Sequence, residues 1–234
     1  MSKPTAVIVG VGSGLSASLA RLLAPEYALV LAARSTDKLA GLASETGADC
    51  VAMNASDPAA MVALFEGLDG RLAVAVYNPS ARVRGPLIEL DPDAVRNAMD
   101  ITAYGAFLMG QAAAKRMLSQ PETDQPRGTI LFTGASAGVK GFPNSAPFAM
   151  GKFAQRGLAQ SMARELHPKG IHVAWINIDG GIRNLNRPER VDAANNPDSM
   201  LDPDAIARAY KQLIDQDRSA WSDELTLRPW VGTF

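Results

Sequence analysis

Short apolar runs alternate with longer amphipathic stretches along the whole chain. Most of the runs are apolar at successive positions, which is typical of parallel strands whose two faces are both covered by helices. The runs are residues 5–10, 28–34, 50–54, 72–78, 128–134 and 172–178, with a seventh, ELTLRP, near the C-terminus. The alternation predicts an α/β protein with a three-layer, doubly wound parallel sheet of about seven strands, formed by a single domain over residues 1–234.

Aspartates mark the predicted starts of several helices. Asp accepts a hydrogen bond well at a helix N-terminus, and Pro fits the first helical turn. Helices are therefore predicted to begin at or just after Asp37, Asp57-Pro58, Asp91-Pro92 and Asp202-Pro203.

Two irregular stretches interrupt the alternation, at residues 119–127 and 180–201. The second is long for a connection, and such loops usually act as lids or binding loops. We expect residues 180–201 to form a substrate loop. A disordered surface excursion is the alternative.

Composition narrows the class of protein. The chain carries 24 acidic and 23 basic groups, for a net charge of -1, which argues against nucleic acid or an anionic membrane as the main partner. Cys50, His167 and His172 are too few and too scattered for an internal disulfide or a zinc site, so no metal is expected. No stretch approaches the about 18 apolar residues of a membrane span, and the N-terminus lacks a signal-peptide pattern. We expect a soluble cytoplasmic protein.

A glycine-rich loop follows the first predicted strand and precedes a predicted helix. Glycines at this point permit a tight turn and let the backbone approach a pyrophosphate, which then rests on the helix N-terminus. The spacing differs from G-x-G-x-x-G, because Leu15 stands where the last glycine would fall. The pattern predicts a Rossmann fold with a dinucleotide at Gly10, Gly12, Ser13, Gly14 and Leu15; an ordinary strand-helix turn is the alternative.

The end of the second strand indicates which dinucleotide is bound. An acid there would bind the ribose 2′-hydroxyl of NAD, whereas Arg accommodates the 2′-phosphate of NADP. The chain has no acid there but has Arg34 and Ser35, which favours NADP over NAD. Asn54, after the third strand, is placed to accept a hydrogen bond from the adenine amino group.

Several motifs together resemble the short-chain dehydrogenase/reductase family over essentially the whole chain. They are the Gly10-x-x-x-Gly14 turn, Asn78 at the end of the fourth run, the block 128–152 and the run 164–173. Within the block, Ala137-Gly138, Gly141, Pro143 and Lys152 fall in register with the family pattern. The resemblance implies a nicotinamide cofactor bound also by Asn78, Gly180, Ile182 and Asn184, the last in place of a Thr that contacts the nicotinamide amide.

The same resemblance implies a catalytic Asn, Ser, Tyr and Lys, and three of these are replaced. The Tyr position is Phe148, the Ser position is Ala135 and the Asn position is Thr102. Lys152 alone is kept. The resemblance therefore implies a divergent member of the family, with Phe in place of the catalytic Tyr.

Few groups remain that could replace the lost phenol. Lys152 is the best candidate, acting through a ribose hydroxyl or a bound water. Ser136 follows Ala135 and reaches the site only if the strand end twists, since neighbouring strand residues face opposite ways; otherwise it bonds local backbone. Tyr104 lies about 200° round a helix from Thr102 and is expected to face elsewhere. Asn144 and Ser145 either orient a substrate or form a plain turn.

Other polar residues have weaker interpretations. Two predicted rim loops carry five arginines, which are Arg82, Arg84, Arg183, Arg187 and Arg190. They could bind a carboxylate or phosphate through paired hydrogen bonds. Solvated surface charge is the preferred interpretation. His167 and His172 are expected to be buried or capping. In the family the helix at residues 147–166 packs against another subunit, which implies a homodimer or homotetramer.

Three functions are compatible with these residues. The leading hypothesis is a noncanonical NADP-dependent oxidoreductase acting on a small carbonyl or alcohol, or on an activated alkene. The second is a catalytically silent NADP-binding sensor or oligomer partner. The third is a lyase or isomerase without net redox chemistry.

Overall fold

The computed structural model describes residues 2–121 and 125–232. The strands are β1 Thr5–Val9, β2 Ala28–Ala33, β3 Asp49–Ala52, β4 Leu72–Tyr77, β5 Gly128–Thr133, β6 Ile171–Ile178, β7 Gly181–Ile182, β8 Met200–Leu201 and β9 Glu224–Leu227. Seven of these parallel strands form one sheet in the order β3-β2-β1-β4-β5-β6-β9, and β7 and β8 form a separate two-stranded ribbon. The predicted doubly wound sheet is confirmed, with strands within two residues of the apolar runs.

Helices cover both faces of the sheet. They are α1 Leu15–Leu23, α2 Ala40–Thr46, α3 Pro58–Glu66, α4 Pro92–Met99, α5 Gly105–Leu118, α6 Ala146–Leu166 and α7 Pro203–Ile214. Alternate residues of β1 face opposite layers: Val7 and Val9 pack with α3, α5 and α6, whereas Ala6 and Ile8 pack with α1, α2 and α7. The continuous apolar runs are explained by this burial on both sides. None of the described helices combines the length and apolar character needed to cross a membrane.

The four predicted aspartate starts all open helical structure. The side chains of Asp57, Asp91 and Asp202 each accept hydrogen bonds from backbone N–H groups of the first turn. Asp37 opens a 3₁₀ turn that continues into α2 at Ala40, but its side chain does not cap the helix.

The segment 180–201 is held by its own polar contacts. Arg183 forms ion pairs with Asp192 and Asp202, and the Asp192 carboxylate accepts a hydrogen bond from the Met200 N–H at 2.7 Å. These contacts argue against a disordered excursion. The other irregular stretch, 119–127, includes residues 122–124, which lie outside the described residues.

A π-helical turn, Asp100–Tyr104, joins α4 to α5. Such turns leave backbone carbonyls without helical partners and are frequent near functional sites. Here the Tyr77 hydroxyl, at the end of β4, donates to the Ile101 carbonyl at 2.5 Å. This bond attaches the turn to the carboxyl end of β4, beside the candidate site.

Candidate active site

A cleft of about 680 Å³ opens at the carboxyl ends of the central strands. It spans the point where the strand order reverses between β1 and β4, which is where doubly wound sheets bind ligands. The lining comes from the loops after β1, β2, β3, β4, β5 and β6 together with α6. Sequence-predicted residues that line it are Gly10, Gly12, Ser13, Gly14, Leu15, Arg34, Asn54, Asn78, Lys152, Gly180, Ile182 and Asn184, with Ala135 and Phe148.

The glycine loop has the form that a dinucleotide requires. Gly10 has φ +84°, and a Cβ there would lie 2.6 Å from the Pro79 ring. A Cβ on Gly12 would meet no protein atom within 4 Å and would project into open space. No side chain caps the first turn of α1, so no side-chain oxygen competes with an anion for its first N–H groups. The loop therefore fits a pyrophosphate.

Asn78 supports the glycine loop from the neighbouring strand. Its amide nitrogen donates to the Gly10 carbonyl at 3.2 Å and to the Ser16 hydroxyl at 2.7 Å. These bonds use both amide protons, so Asn78 positions the loop that a cofactor would contact.

The outer end of the cleft carries a cation and no acid at the end of β2. Arg34 is exposed and lines the cleft, whereas Ser35 does not. The Asn54 side-chain oxygen already accepts hydrogen bonds from the Ser56 N–H and hydroxyl. The end of β2 therefore presents a guanidinium group and no carboxylate to the cleft.

The segment after β6 closes the cleft opposite the glycine loop. Asn184 donates to the Ser13 hydroxyl at 3.3 Å and accepts from the Asn186 N–H at 3.0 Å. Its amide is thus occupied beside the glycine loop in this structure. A Cβ at Gly180 would lie 2.7 Å from the Leu201 side chain, so this glycine permits close packing at the start of the segment.

The centre of the cleft is apolar where the resemblance implies a Ser and a Tyr. Phe148 and Ala135 are buried and form a small apolar cluster with Ala137. Ser136 does not line the main cleft but lines a neighbouring cavity of about 430 Å³, which Phe148 also lines. No hydroxyl stands at Ala135 or Phe148, the two positions for which the resemblance implies a carbonyl-polarising group and a proton donor.

Lys152 lies beneath this apolar centre. Its side chain is 2% exposed, and Nζ donates to the Thr133 carbonyl at 2.5 Å and to the Gln155 side-chain oxygen at 3.1 Å. Burial, with a smaller contribution from the nearby Arg82 charge, lowers the pKa of Lys152 to about 7. Because both partners are neutral, the ammonium charge is not compensated, and the group is able to hold or release a proton near neutral pH.

Gln155 was not anticipated from the sequence. Its side chain is fully buried, and its amide nitrogen lies 3.4 Å from the Thr102 carbonyl. The feature of the sequence that pointed to Gln155 is its spacing, because a polar residue three positions after Lys152 lies on the same helix face. Gln155 links the lysine to the π-helical turn.

The prediction of Thr102 as a catalytic residue does not fit its position. Thr102 is 1% exposed and does not line the cleft. Its hydroxyl accepts a hydrogen bond from the Ala81 N–H at 3.0 Å, so it holds the loop after β4. Tyr104 is exposed, stacks on Phe107 and lies off the cleft, as expected.

Four of the five arginines of the rim loops line the cleft or the neighbouring cavity, whereas solvated surface charge was the preferred interpretation. Arg82, Arg187 and Arg190 line the cleft, and Arg82 and Arg84 line the neighbouring cavity. The Arg82 guanidinium carbon lies 4.2 Å from the centroid of the Phe148 ring. Desolvation, Arg190 and Arg84 all lower the pKa of Arg82. Arg183 is excluded from this group by its ion pairs within the loop.

The two histidines have structural roles away from the cleft. His172 is buried and bonded to the Ser222 carbonyl at 2.8 Å. The His167 ring accepts from the Val173 N–H at 3.1 Å. Both rings pack against Trp221.

Comparisons with known proteins agree with this geometry. The short chain dehydrogenase family model matches residues 4–183. A solved short-chain dehydrogenase from Rhodopseudomonas palustris is 32% identical, with a TM-score of 0.81 over 97% of this chain and 99% of that one. A metagenomic short-chain oxidoreductase solved in complex with NADP is 24% identical, with a TM-score of 0.82 over 99% of each chain, and shows the fold alone.

A curated relative extends the likeness along nearly the full length. An uncharacterized oxidoreductase of Staphylococcus aureus (strain N315) is 26% identical over 237 residues, covering 96% of each chain. With the family model matching well over half of the chain, the protein belongs to the short-chain dehydrogenase family, which is a family of oxidoreductases.

Proposed function

We propose that this protein is a noncanonical NADP-dependent oxidoreductase acting on a small carbonyl or alcohol, or on an activated alkene. The observation that carries the proposal is Lys152, which faces a cleft built around a glycine loop while the two hydroxyl positions beside it are apolar. A chain that only needed to fold would gain nothing from burying an uncompensated ammonium group.

NADP(H) is the proposed cofactor. The free first turn of α1 and the open space at Gly12 would take the pyrophosphate, and Arg34 would take the 2′-phosphate. The metagenomic neighbour was solved with NADP, which supports the choice. When bound, the nicotinamide ring supplies or accepts the hydride.

The chain's own residues would bind, orient and handle a proton. Lys152, with a pKa near neutrality, would hold a proton at Nζ for a ribose hydroxyl or a water that contacts the substrate oxygen. Phe148 and Ala135 would exclude water from the reacting centre without donating a proton. General acid catalysis contributes about 10²- to 10⁴-fold, so slow turnover without the phenol remains compatible with an enzyme.

The apolar centre also favours a second candidate, a catalytically silent NADP-binding sensor. Such a protein would keep the glycine loop and Arg34 and have no use for a proton donor. The two candidates differ in turnover and not in cofactor affinity.

A homodimer or homotetramer is proposed for the single domain. Apolar side chains of α5, α6 and the π-helical turn are exposed: Tyr104, Phe107, Met150 and Phe153. Exposed apolar patches of this kind mark association surfaces. Sedimentation of the full chain would test the assignment.

The decisive experiment pairs binding with turnover. Calorimetric titration with NADPH and NADH comes first, followed by NADPH consumption against a panel of carbonyls and enones. The panel compares wild type with Lys152→Met and with Lys169→Met, an exposed control beyond the far end of α6. Turnover lost only in Lys152→Met supports the enzyme. Binding without turnover supports the sensor, and absence of binding to either nucleotide overturns both.

A further inference from the structure

A second cavity of about 430 Å³ opens beside the candidate active site. Both spaces are lined by Arg82, Ala135, Phe148, Ile178 and Gly180, so the cavity meets the cleft at the position of the missing phenol. Its apolar wall is formed by Phe142, Pro143 and Phe148. It lacks the glycine loop and is therefore not part of the pyrophosphate site.

The cavity is positively charged. Arg82 and Arg84 line it, and none of its lining residues is acidic. Neither arginine has a carboxylate partner among the residues that the structure describes, whereas Arg21, Arg156 and Arg183 are all ion-paired. Desolvation is the main cause that lowers the pKa of Arg82, and the charges of Arg190 and Arg84 add to it. Two guanidinium groups without a carboxylate partner at one cavity favour an anionic ligand over a neutral one.

The contact with Phe148 orients Arg82. The guanidinium lies over the ring face at 4.2 Å, an arrangement in which the in-plane N–H donors remain free for another group. The loop that carries Arg82 is itself held by the bond from the Ala81 N–H to Thr102. Arg82 is thus a positioned donor at the junction of the two spaces.

Neutral donors complete the lining. Ser136, Asn144 and Ser145 face the same cavity, and Asn144 adopts a left-handed backbone with φ 57°. An apolar wall with a few convergent polar groups is the usual composition of a small-molecule site.

We propose that the second cavity binds the carboxylate of the substrate, with Arg82 as its principal partner and Arg84 as an auxiliary cation. The substrate class is then a small oxoacid or hydroxyacid whose reacting carbon lies at the junction beside Phe148. This inference rests on the proposed oxidoreductase function. A guanidinium binds a carboxylate through two parallel hydrogen bonds, which supplies orientation as well as affinity.

The test compares matched ligands on the NADP-saturated protein by calorimetry. The probes are 4-oxopentanoate, its neutral amide and a phosphorylated ketone of similar length. The variants are Arg82→Gln and Arg82→Gln with Arg84→Gln. Arg208→Gln, an exposed arginine on α7, is the control, and thermal unfolding checks that each variant is folded.

We expect wild type and the control to bind the carboxylate at least about tenfold more tightly than the amide, since a hydrogen bond between two charged groups is stronger than one to a neutral group. Arg82→Gln should remove this preference and leave NADPH affinity unchanged. Equal binding of carboxylate and amide to wild type would overturn the proposal, as would a preference that survives both substitutions.

Two further outcomes are equally decisive. Tighter binding of the phosphorylated ketone would overturn the carboxylate assignment. A parallel loss of NADPH affinity in Arg82→Gln would place Arg82 in the cofactor site and overturn it too. If wild type binds no nicotinamide nucleotide, the proposed function fails. The comparison of carboxylate with amide on the free protein then tests by itself whether the second cavity binds a carboxylate.

Discussion

The Nζ of Lys152 lies 2.5 Å from the carbonyl oxygen of Thr133, at the carboxyl end of β5. The lysine is held by this carbonyl and by Gln155, both neutral, in a site from which water is nearly excluded. An ammonium group buried without a carboxylate loses hydration that its partners do not replace. This is why the pKa of Lys152 falls from its ordinary 10.5 to about 7.

The first prediction follows from this pKa. Between about pH 7 and 10 the unfolded chain keeps a proton on this lysine that the folded chain has released. Stability rises with pH wherever the unfolded state binds more protons. The free energy of unfolding is therefore expected to increase across this window, by up to on the order of 4 kcal/mol, and urea denaturation at a series of pH values measures it.

Lys152→Met is the reference for that measurement. The variant should lack the increase, while Lys169→Met, altered at an exposed lysine, should keep it. Identical pH profiles for wild type and Lys152→Met would show that the lysine is not desolvated as described.

The second prediction concerns the choice of cofactor. Arg34→Ala should weaken NADPH binding about 10- to 100-fold, because the 2′-phosphate loses a charge-assisted hydrogen bond, and should change NADH binding little. Calorimetric titration with both nucleotides measures the ratio, with Arg208→Ala as the matched control. Equal losses of affinity for the two nucleotides would show that Arg34 does not bind the 2′-phosphate.

The third prediction uses the space at Gly12. A Cβ there meets no protein atom within 4 Å, so Gly12→Ala should fold with an unchanged melting temperature. The added methyl would occupy space needed for close approach of a pyrophosphate, and dinucleotide affinity should fall at least about tenfold. Gly41→Ala, also without neighbours, should leave affinity unchanged. A Gly12→Ala protein with wild-type affinity would contradict the assignment of the loop.

The fourth prediction separates a structural from a catalytic role for Thr102. Thr102→Val removes the acceptor for the Ala81 N–H and should lower the free energy of unfolding by about 1–2 kcal/mol. Thr102→Ser keeps the hydroxyl and should retain most of the stability. The two variants are compared by urea denaturation and by turnover. Turnover lost in Thr102→Val but kept in Thr102→Ser, with the stability of both variants intact, would return the Thr102 hydroxyl to the reacting centre.

The candidate site was only partly predictable from the sequence. The residues of the glycine loop line the cleft because their position follows from a strand end, which an apolar run marks. Lys152 also lines the cleft, at the position in α6 that the family resemblance implied. Ser136 was placed beside the site only conditionally, and it lines the neighbouring cavity. Gln155 was missed because its importance depends on which residue its side chain meets, and helical spacing alone did not identify that partner.

The sequence by itself determined the doubly wound sheet, the glycine loop and the apolar side chains at Ala135 and Phe148. Strand and helix periodicity are local, and Phe148 and Ala135 lack a hydroxyl in any fold. The tertiary structure alone decided that Arg82 stacks on Phe148 and that Thr102 holds a loop. It also decided that Arg183 forms ion pairs, whereas Arg82 has no carboxylate partner among the described residues. Those outcomes depend on contacts between residues far apart in the chain, and the local sequence around each residue carries no record of the partner.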